Sequence, residues 1–73
     1  MTRLRDLRKK RGYTQIKMQM LTGIDQSDYS KLERGERYYT VEQLKRIATA
    51  LQTSTDYLLE RTDEIQPYPE KKR

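Results

Sequence analysis

The sequence predicts an all-α fold, a compact bundle of five short helices. Apolar residues recur at intervals of three or four along most of the chain, whereas the strict alternation typical of strands is not sustained anywhere. Each apolar segment also lies between residues that start and stop helices. With 73 residues the chain forms one domain at most, and a core of this size is usually only marginally stable without disulfides, metals or a partner subunit. We expect the domain to cover residues 1–62.

The first two helices are predicted at residues 3–11 and 15–22. Gly12 ends the first, because glycine readily takes the left-handed conformation that a helix C-terminus needs. The second begins after Thr14, whose side-chain oxygen can accept a free backbone N–H, and it stops before Gly23.

The third helix is predicted to begin after Asp25 and to end at Gly35. Asp25 is its N-cap. Asp28, three residues later, can return its carboxylate to the N–H of the cap and complete a capping box, and both acids suit the positive end of the helix dipole.

The last two helices follow similar signals. Thr40 and Gln43 form a capping box at the start of the fourth, which extends to about Leu51. The fifth is predicted at residues 55–60, after Ser54. Residues 63–73 hold two prolines and alternating charges, so we expect a flexible or loosely docked tail. Alternatively, Ile65, Tyr68 and the prolines order this tail against a partner subunit.

Composition excludes most kinds of catalysis. The chain has no cysteine and no histidine, which removes disulfides, thiolate nucleophiles, nearly all zinc sites and the usual general base. It also lacks a catalytic dyad or a phosphate-binding loop, so we expect no enzyme, no cofactor, no metal and no small-molecule ligand. Without a signal peptide or a long apolar run, we expect a cytoplasmic protein that does not enter membranes.

The net charge of +5 is concentrated in residues 1–12, where six cations stand against Asp6. Such a patch favours nucleic acid or another anionic surface, although it is also typical of an ordinary solvated helix face.

The connection between the second and third helices is very short. Only Gly23, Ile24 and Asp25 separate them, which is the length of a helix-turn-helix with a glycine at the turn and an apolar residue pointing inward. A generic antiparallel helical hairpin is the alternative, but it does not need this glycine, apolar, cap order.

The chain resembles the lambda repressor-like, Xre/Cro-type helix-turn-helix proteins over about residues 3–60. The matching positions are Leu4, Leu7, Arg8, Gly12, Thr14, Gln15, Met18, Gly23, Ile24, Ser30, Leu32, Glu33, Gly35, Thr40, Leu44, Ile47, Ala48, Leu51, Ser54, Asp56, Leu58 and Leu59. Two positions depart from the family pattern. Gln19 replaces a small alanine that lets two helices approach closely, and Tyr29 replaces Ile or Val, so its hydroxyl needs a partner.

The resemblance implies that the third helix is a recognition helix in the major groove of DNA. It assigns base reading to Gln26 and Ser27, and a phosphate contact to Gln15. The implied DNA-binding residues are Thr14, Gln15, Gln26, Ser27, Ser30, Lys31, Arg34, Arg37 and Tyr38. Without the motif, most of these would be ordinary exposed residues. Asp28 has a second possible role, to accept from a cytosine amino group. The resemblance also implies a structural ion pair between Arg8 and Glu33.

These features together predict a sequence-specific, DNA-binding transcriptional regulator. We expect a repressor that binds a near-palindromic operator in double-stranded DNA as a homodimer, with its recognition helices roughly 34 Å apart. Tyr57, Leu58 or Leu59 would form the dimer contact, although the leucines could equally belong to the core. The alternative is an antitoxin-like or adaptor module that binds another protein and touches DNA weakly.

Overall fold

The computed structural model describes residues 2–67, in which the chain forms five α-helices and no strand. The helices are α1 (Thr2–Lys10), α2 (Gln15–Thr22), α3 (Gln26–Arg34), α4 (Val41–Ala50) and α5 (Thr55–Leu58). The predicted all-α bundle of five short helices is confirmed. None of the helices in this part of the chain is long and apolar enough to cross a membrane. Tyr68 and Pro69, considered above as contacts for a partner, lie outside the described residues.

Four helices begin at the side-chain caps that the sequence predicts. The side-chain oxygens of Thr14, Asp25, Thr40 and Ser54 each accept the backbone N–H three residues later, at 2.8 to 3.0 Å. At α4 the bond is reciprocated, because Gln43 Oε1 accepts the Thr40 N–H at 3.0 Å. These caps fix where each helix starts and so which residues face the core.

All five helices contribute to one apolar core. It consists of the buried residues Leu4, Leu7, Met18, Ile24, Tyr29, Leu32, Ile47, Ala48, Leu51 and Leu58. Most of these positions repeat at three or four residues within a helix, as expected for helices that bury a single stripe. The core holds α3 against α1 and α2, which determines what α3 can present to solvent.

α5 is shorter than the sequence predicts and ends at Leu58 rather than Glu60. Glu60 adopts a left-handed conformation with φ 63°, and the Arg61 N–H donates back to the Asp56 carbonyl at 2.9 Å. This arrangement closes a helix C-terminus. Since the left-handed residue is a glutamate and not a glycine, no local signal in the sequence announces it.

Residues 63–67 lie against the helical body. Thr53 Oγ1 donates to the Ile65 carbonyl at 2.6 Å, and the Ile65 side chain packs on the core. The Arg3 guanidinium donates to the Thr62 carbonyl at 2.8 Å and to the Asp63 carboxylate at 3.2 Å. Through these contacts the chain returns to α1.

Candidate nucleic-acid interface

The turn before α3 is short and anchored in the core. Gly23 takes φ 73°, and its N–H donates to the Gln19 carbonyl at 2.8 Å. Ile24 is buried, and its N–H donates to Thr22 Oγ1 at 3.3 Å, while that hydroxyl donates to the Met18 carbonyl at 2.7 Å. Because the backbone N–H groups of Gly23 and Ile24 bond to α2 and the Ile24 side chain lies in the core, α3 leaves the turn in a defined direction.

α3 has one buried face and one exposed face. Tyr29, Leu32 and Glu33 point inward and are almost completely buried. The outward side presents polar and cationic residues, of which Ser30 is half-buried and the others are exposed: Gln26, Ser27, Ser30, Lys31 and Arg34. Every residue of α3 that the sequence assigned to DNA contact therefore lies on the side away from the core.

The buried carboxylate of Glu33 joins the first three helices. Arg8 of α1 donates to it from Nε at 2.6 Å and from Nη2 at 3.2 Å. Gln15 of α2 donates from Nε2 to Glu33 Oε1 at 3.0 Å. Arg8 also donates from Nη1 to the Tyr13 carbonyl at 2.9 Å, so its guanidinium is held on three bonds. The ion pair implied by the resemblance is present and acts as a brace behind the exposed face.

Protonation of this pair follows from its surroundings. Burial alone would raise the pKa of Glu33, but hydrogen bonds from Arg8 and Gln15 lower that pKa below its ordinary value of 4.5. The hydrogen bond to Glu33 in turn raises the pKa of Arg8 above its ordinary value. Both groups are charged at neutral pH, and neither is available to donate or to remove a proton in a reaction.

Gln15 links α2 to α3 instead of pointing freely into solvent. Its amide nitrogen donates to Glu33, and its amide oxygen accepts from Ser30 Oγ at 3.2 Å. The sequence had assigned both Gln15 and Ser30 to DNA contact, and the structure places them next to each other at the junction of the two helices. Thr14 lies beside them, exposed, with its hydroxyl accepting the Lys17 N–H at 3.0 Å.

Both arginines that the resemblance assigns to DNA contact are paired with acids of the same surface. Arg37, in the loop after α3, donates from Nη1 to Asp28 Oδ1 at 2.6 Å. Arg34 donates to Glu36 from Nε at 2.7 Å and from Nη2 at 3.2 Å. The prediction that Asp28 completes a capping box was wrong, because its carboxylate pairs with Arg37 while only its N–H bonds to the Asp25 cap at 2.8 Å.

A model of the helix-turn-helix family matches residues 4–58, which is most of the chain. The chain belongs to the lambda repressor-like helix-turn-helix family. It is therefore a DNA-binding transcription regulator of the Xre type, as the resemblance implied. Neither a curated protein nor a solved structure shows a significant match to it.

The outer face of α2 in this helix-turn-helix protein is more apolar than the sequence suggests. Ile16 is 68% exposed and Met20 is 76% exposed, and the two are four residues apart on one side of the helix. Leu21 is exposed as well. The buried residues of α2 are Met18 and Thr22. The i, i+4 spacing of Ile16 and Met20 is the signal that could have revealed this patch.

Of the three residues predicted for dimerisation, Leu58 is fully buried in the core and has no surface to offer a partner. Tyr57 is half-buried, and its ring lies under the Arg3 guanidinium at 4.3 Å from the ring centroid. Leu59 is exposed and lines an apolar groove of about 430 Å³ with Tyr38, Val41 and their neighbours. In this helix-turn-helix protein the predicted dimer contact is thus reduced mainly to Leu59.

Proposed function

We propose that this regulator is a sequence-specific repressor that binds a near-palindromic operator as a homodimer. The observation that supports it best is the exposed face of α3, where Gln26 and Ser27 stand free at the N-terminal end of the helix. In the major groove a glutamine can grip adenine through two hydrogen bonds, and a serine can donate to or accept from several bases. Lys31 and Arg34 extend the same face and supply the charge for phosphates.

The rigid brace behind α3 supports this proposal. Discrimination between bases requires side chains that keep their positions, and α3 is fixed by a core turn at Gly23 and by the buried Arg8–Glu33 pair. A helix with loose packing could bind DNA through charge alone, but it would distinguish bases poorly.

Pairing of two copies is proposed through the apolar groove beside Leu59. Val41 and Tyr38 are exposed next to it, so the same patch holds both a groove and a projecting ring. The Tyr38 ring, 95% exposed, was assigned to DNA contact by the resemblance and is proposed here to contact the second copy instead. A two-fold contact needs such a self-complementary surface. It would set the two recognition helices roughly 34 Å apart, which is one turn of DNA.

A second function is favoured by a different observation. The apolar patch of Ile16, Met20 and Leu21 on α2 is of the kind that binds another protein. An antitoxin-like or adaptor protein would use this patch and hold DNA only weakly.

Selection of bound duplexes from a random pool tests the proposed function. We expect a recovered site with two symmetric halves about one DNA turn apart, bound at least about a thousandfold more tightly than random duplex. Enrichment of no sequence, with binding that depends only on salt, would favour the protein-binding alternative.

A further inference from the structure

An ion pair between Asp28 and Arg37 lies on the surface that would face DNA in the proposed function. Asp28 belongs to the first turn of α3, and Arg37 belongs to the loop that follows the helix. Their charged groups are 2.6 Å apart, and the two side chains are 36% and 39% exposed. The acid and the base therefore contact each other beside Gln26 and Ser27, where an approaching duplex would meet both.

The helix does not require the Asp28 carboxylate at this place. Asp25 already caps α3, and the reciprocal bond that Gln43 supplies at α4 is not made by Asp28. A negative charge in the first turn suits the helix dipole, but that effect does not depend on contact with Arg37. Helix capping therefore does not explain why the Asp28 carboxylate points to Arg37 in the loop.

An exposed ion pair of this kind contributes little to folding, so a stronger partner can displace either member. A DNA phosphate can replace Asp28 as the partner of Arg37. The Asp28 carboxylate is then left unpaired next to a polyanion. A base amino group can compensate that carboxylate, and cytosine N4 is the amino group that Asp accepts from in the major groove. The two exchanges are therefore coupled: Arg37 moves to phosphate at low cost only where a cytosine meets Asp28.

We propose that Asp28 is a specificity-determining residue that withholds Arg37 from the phosphates of random DNA and releases it on sites that present a cytosine amino group. This inference rests on the proposed function, in which α3 lies in the major groove. It assigns to Asp28 a base contact and a second, repulsive role: on other sequences the closed pair removes one phosphate contact. Discrimination of this type needs a penalty against wrong sites as well as an attraction to the right one.

The chain supplies a matched control in the neighbouring pair. Glu36 holds Arg34 through two hydrogen bonds of 2.7 and 3.2 Å, and both residues are exposed. Glu36→Gln removes the same charge as Asp28→Asn and also frees one arginine, but Glu36 lies after the end of the recognition helix, in the loop. The two variants therefore share their effect on net charge, whereas only Asp28→Asn removes a carboxylate from the first turn of α3.

The test measures binding of the full chain and both variants to the selected operator and to random duplex, over a range of salt concentrations. For Asp28→Asn we expect the preference for the operator over random duplex to fall at least about tenfold, because the cytosine amino group loses its charged acceptor. On random duplex the slope of log K against log salt should steepen by about 0.9, the value for one added phosphate contact. Changing each operator base pair in turn should show lost discrimination at one cytosine position. For Glu36→Gln we expect tighter binding to both duplexes with the preference unchanged.

Three results would overturn the inference. If Asp28→Asn kept the operator preference of the parent, or changed both affinities as Glu36→Gln does, the carboxylate would act only through its charge. Circular dichroism and thermal unfolding of both variants show whether any change reflects folding instead; an Asp28→Asn chain that is fully folded and unchanged in preference counts against the proposal. A parent chain with no preferred duplex would overturn the proposed function and this inference with it.

Discussion

Arg8 and Glu33 meet on the buried side of α3 through two hydrogen bonds of 2.6 and 3.2 Å, with both side chains largely shielded from solvent. The pair connects α1 to the buried face of α3, so the position of the exposed face depends on it. Gln15 joins the same carboxylate from α2. The exposed face of α3, which we propose reads DNA, is therefore supported by charge inside the molecule as well as by apolar packing.

Removing one member of this pair should destabilise the fold strongly. Glu33→Gln leaves the buried Arg8 guanidinium without its counter-charge, and we expect a loss of about 3 kcal/mol in the free energy of unfolding. Urea denaturation followed by circular dichroism measures it. As a control, Glu42→Gln breaks the exposed pair with Arg46 (3.0 Å) and should cost less than about 0.5 kcal/mol. Equal losses in the two variants would contradict a buried brace.

The same pair predicts how stability depends on acid. The hydrogen bonds lower the pKa of Glu33 in the folded state below its ordinary value of 4.5. The charged carboxylate therefore stabilises the fold fully at pH values above 4.5. This stabilisation is lost as the pH falls through the lowered folded-state pKa. Denaturation curves measured between pH 7 and pH 2 should show the loss in the parent and a smaller loss in Glu33→Gln. A parent chain and variant with the same acid dependence would be inconsistent with this assignment.

The turn at Gly23 should tolerate an alanine only at a cost. Its φ of 73° is unfavourable for residues with a Cβ, whereas an added Cβ would lie 3.4 Å from Arg46 Nη1, an ordinary contact. We therefore attribute the expected destabilisation of about 1–2 kcal/mol to the backbone alone. Gly23→Asn should cost less, since asparagine enters this conformation more readily. Chemical denaturation of both variants tests the order, and an alanine variant as stable as the parent would argue against a strained turn.

Tyr39 offers a substitution that should stabilise the protein. Its hydroxyl is buried and has no hydrogen-bond partner within the described part of the chain. Burial also raises the pKa of Tyr39 to about 12. Tyr39→Phe removes an unsatisfied group, so we expect a gain of up to about 1 kcal/mol. The parent should lose stability as the pH rises from 10 through about 12, and the variant should lose less. Thermal unfolding at neutral and alkaline pH measures both effects; a clear destabilisation by phenylalanine would contradict the prediction.

Lys31 should contribute to affinity without contributing to base preference. Lys31→Ala is expected to weaken binding to operator and random duplex alike and to reduce the salt slope by about 0.9, since one phosphate contact is lost. Lys45→Ala, an exposed cation on α4, is the control and should change the slope much less. Titration at several salt concentrations distinguishes them. A selective loss of operator binding in Lys31→Ala would instead indicate a base contact.

The starts of the helices could be predicted from the sequence because they depend on neighbours three residues apart. Thr14, Asp25, Thr40 and Ser54 cap as expected, since a short side chain reaches the nearby N–H in any context. The end of α5 could not be predicted, because Glu60 takes a left-handed conformation that its own type does not favour. What stops the helix there is the surrounding structure.

Some features of the candidate site could likewise be predicted from the sequence, and others could not. Which residues face outward on α3 follows from the helical period and the turn, so Gln26 and Ser27 could be placed in advance. The partners of the charged residues could not, because Asp28 pairs with a residue nine positions away and Ile65 docks on Thr53 from the far end of the chain. Such contacts depend on the three-dimensional arrangement of the chain, which local patterns do not encode.

The central claim is that the outward face of α3 reads bases, and Gln26→Ala tests it most directly. The side chain is exposed and supports no buried contact in the described structure, so the variant should fold like the parent. Binding is measured to the selected operator and to operators with each base pair changed in turn. We predict a loss of about 1–3 kcal/mol on the operator and relaxed preference at a single position. If Gln26→Ala bound every one of these duplexes as tightly as the parent does, the claim that this helix distinguishes bases would be contradicted.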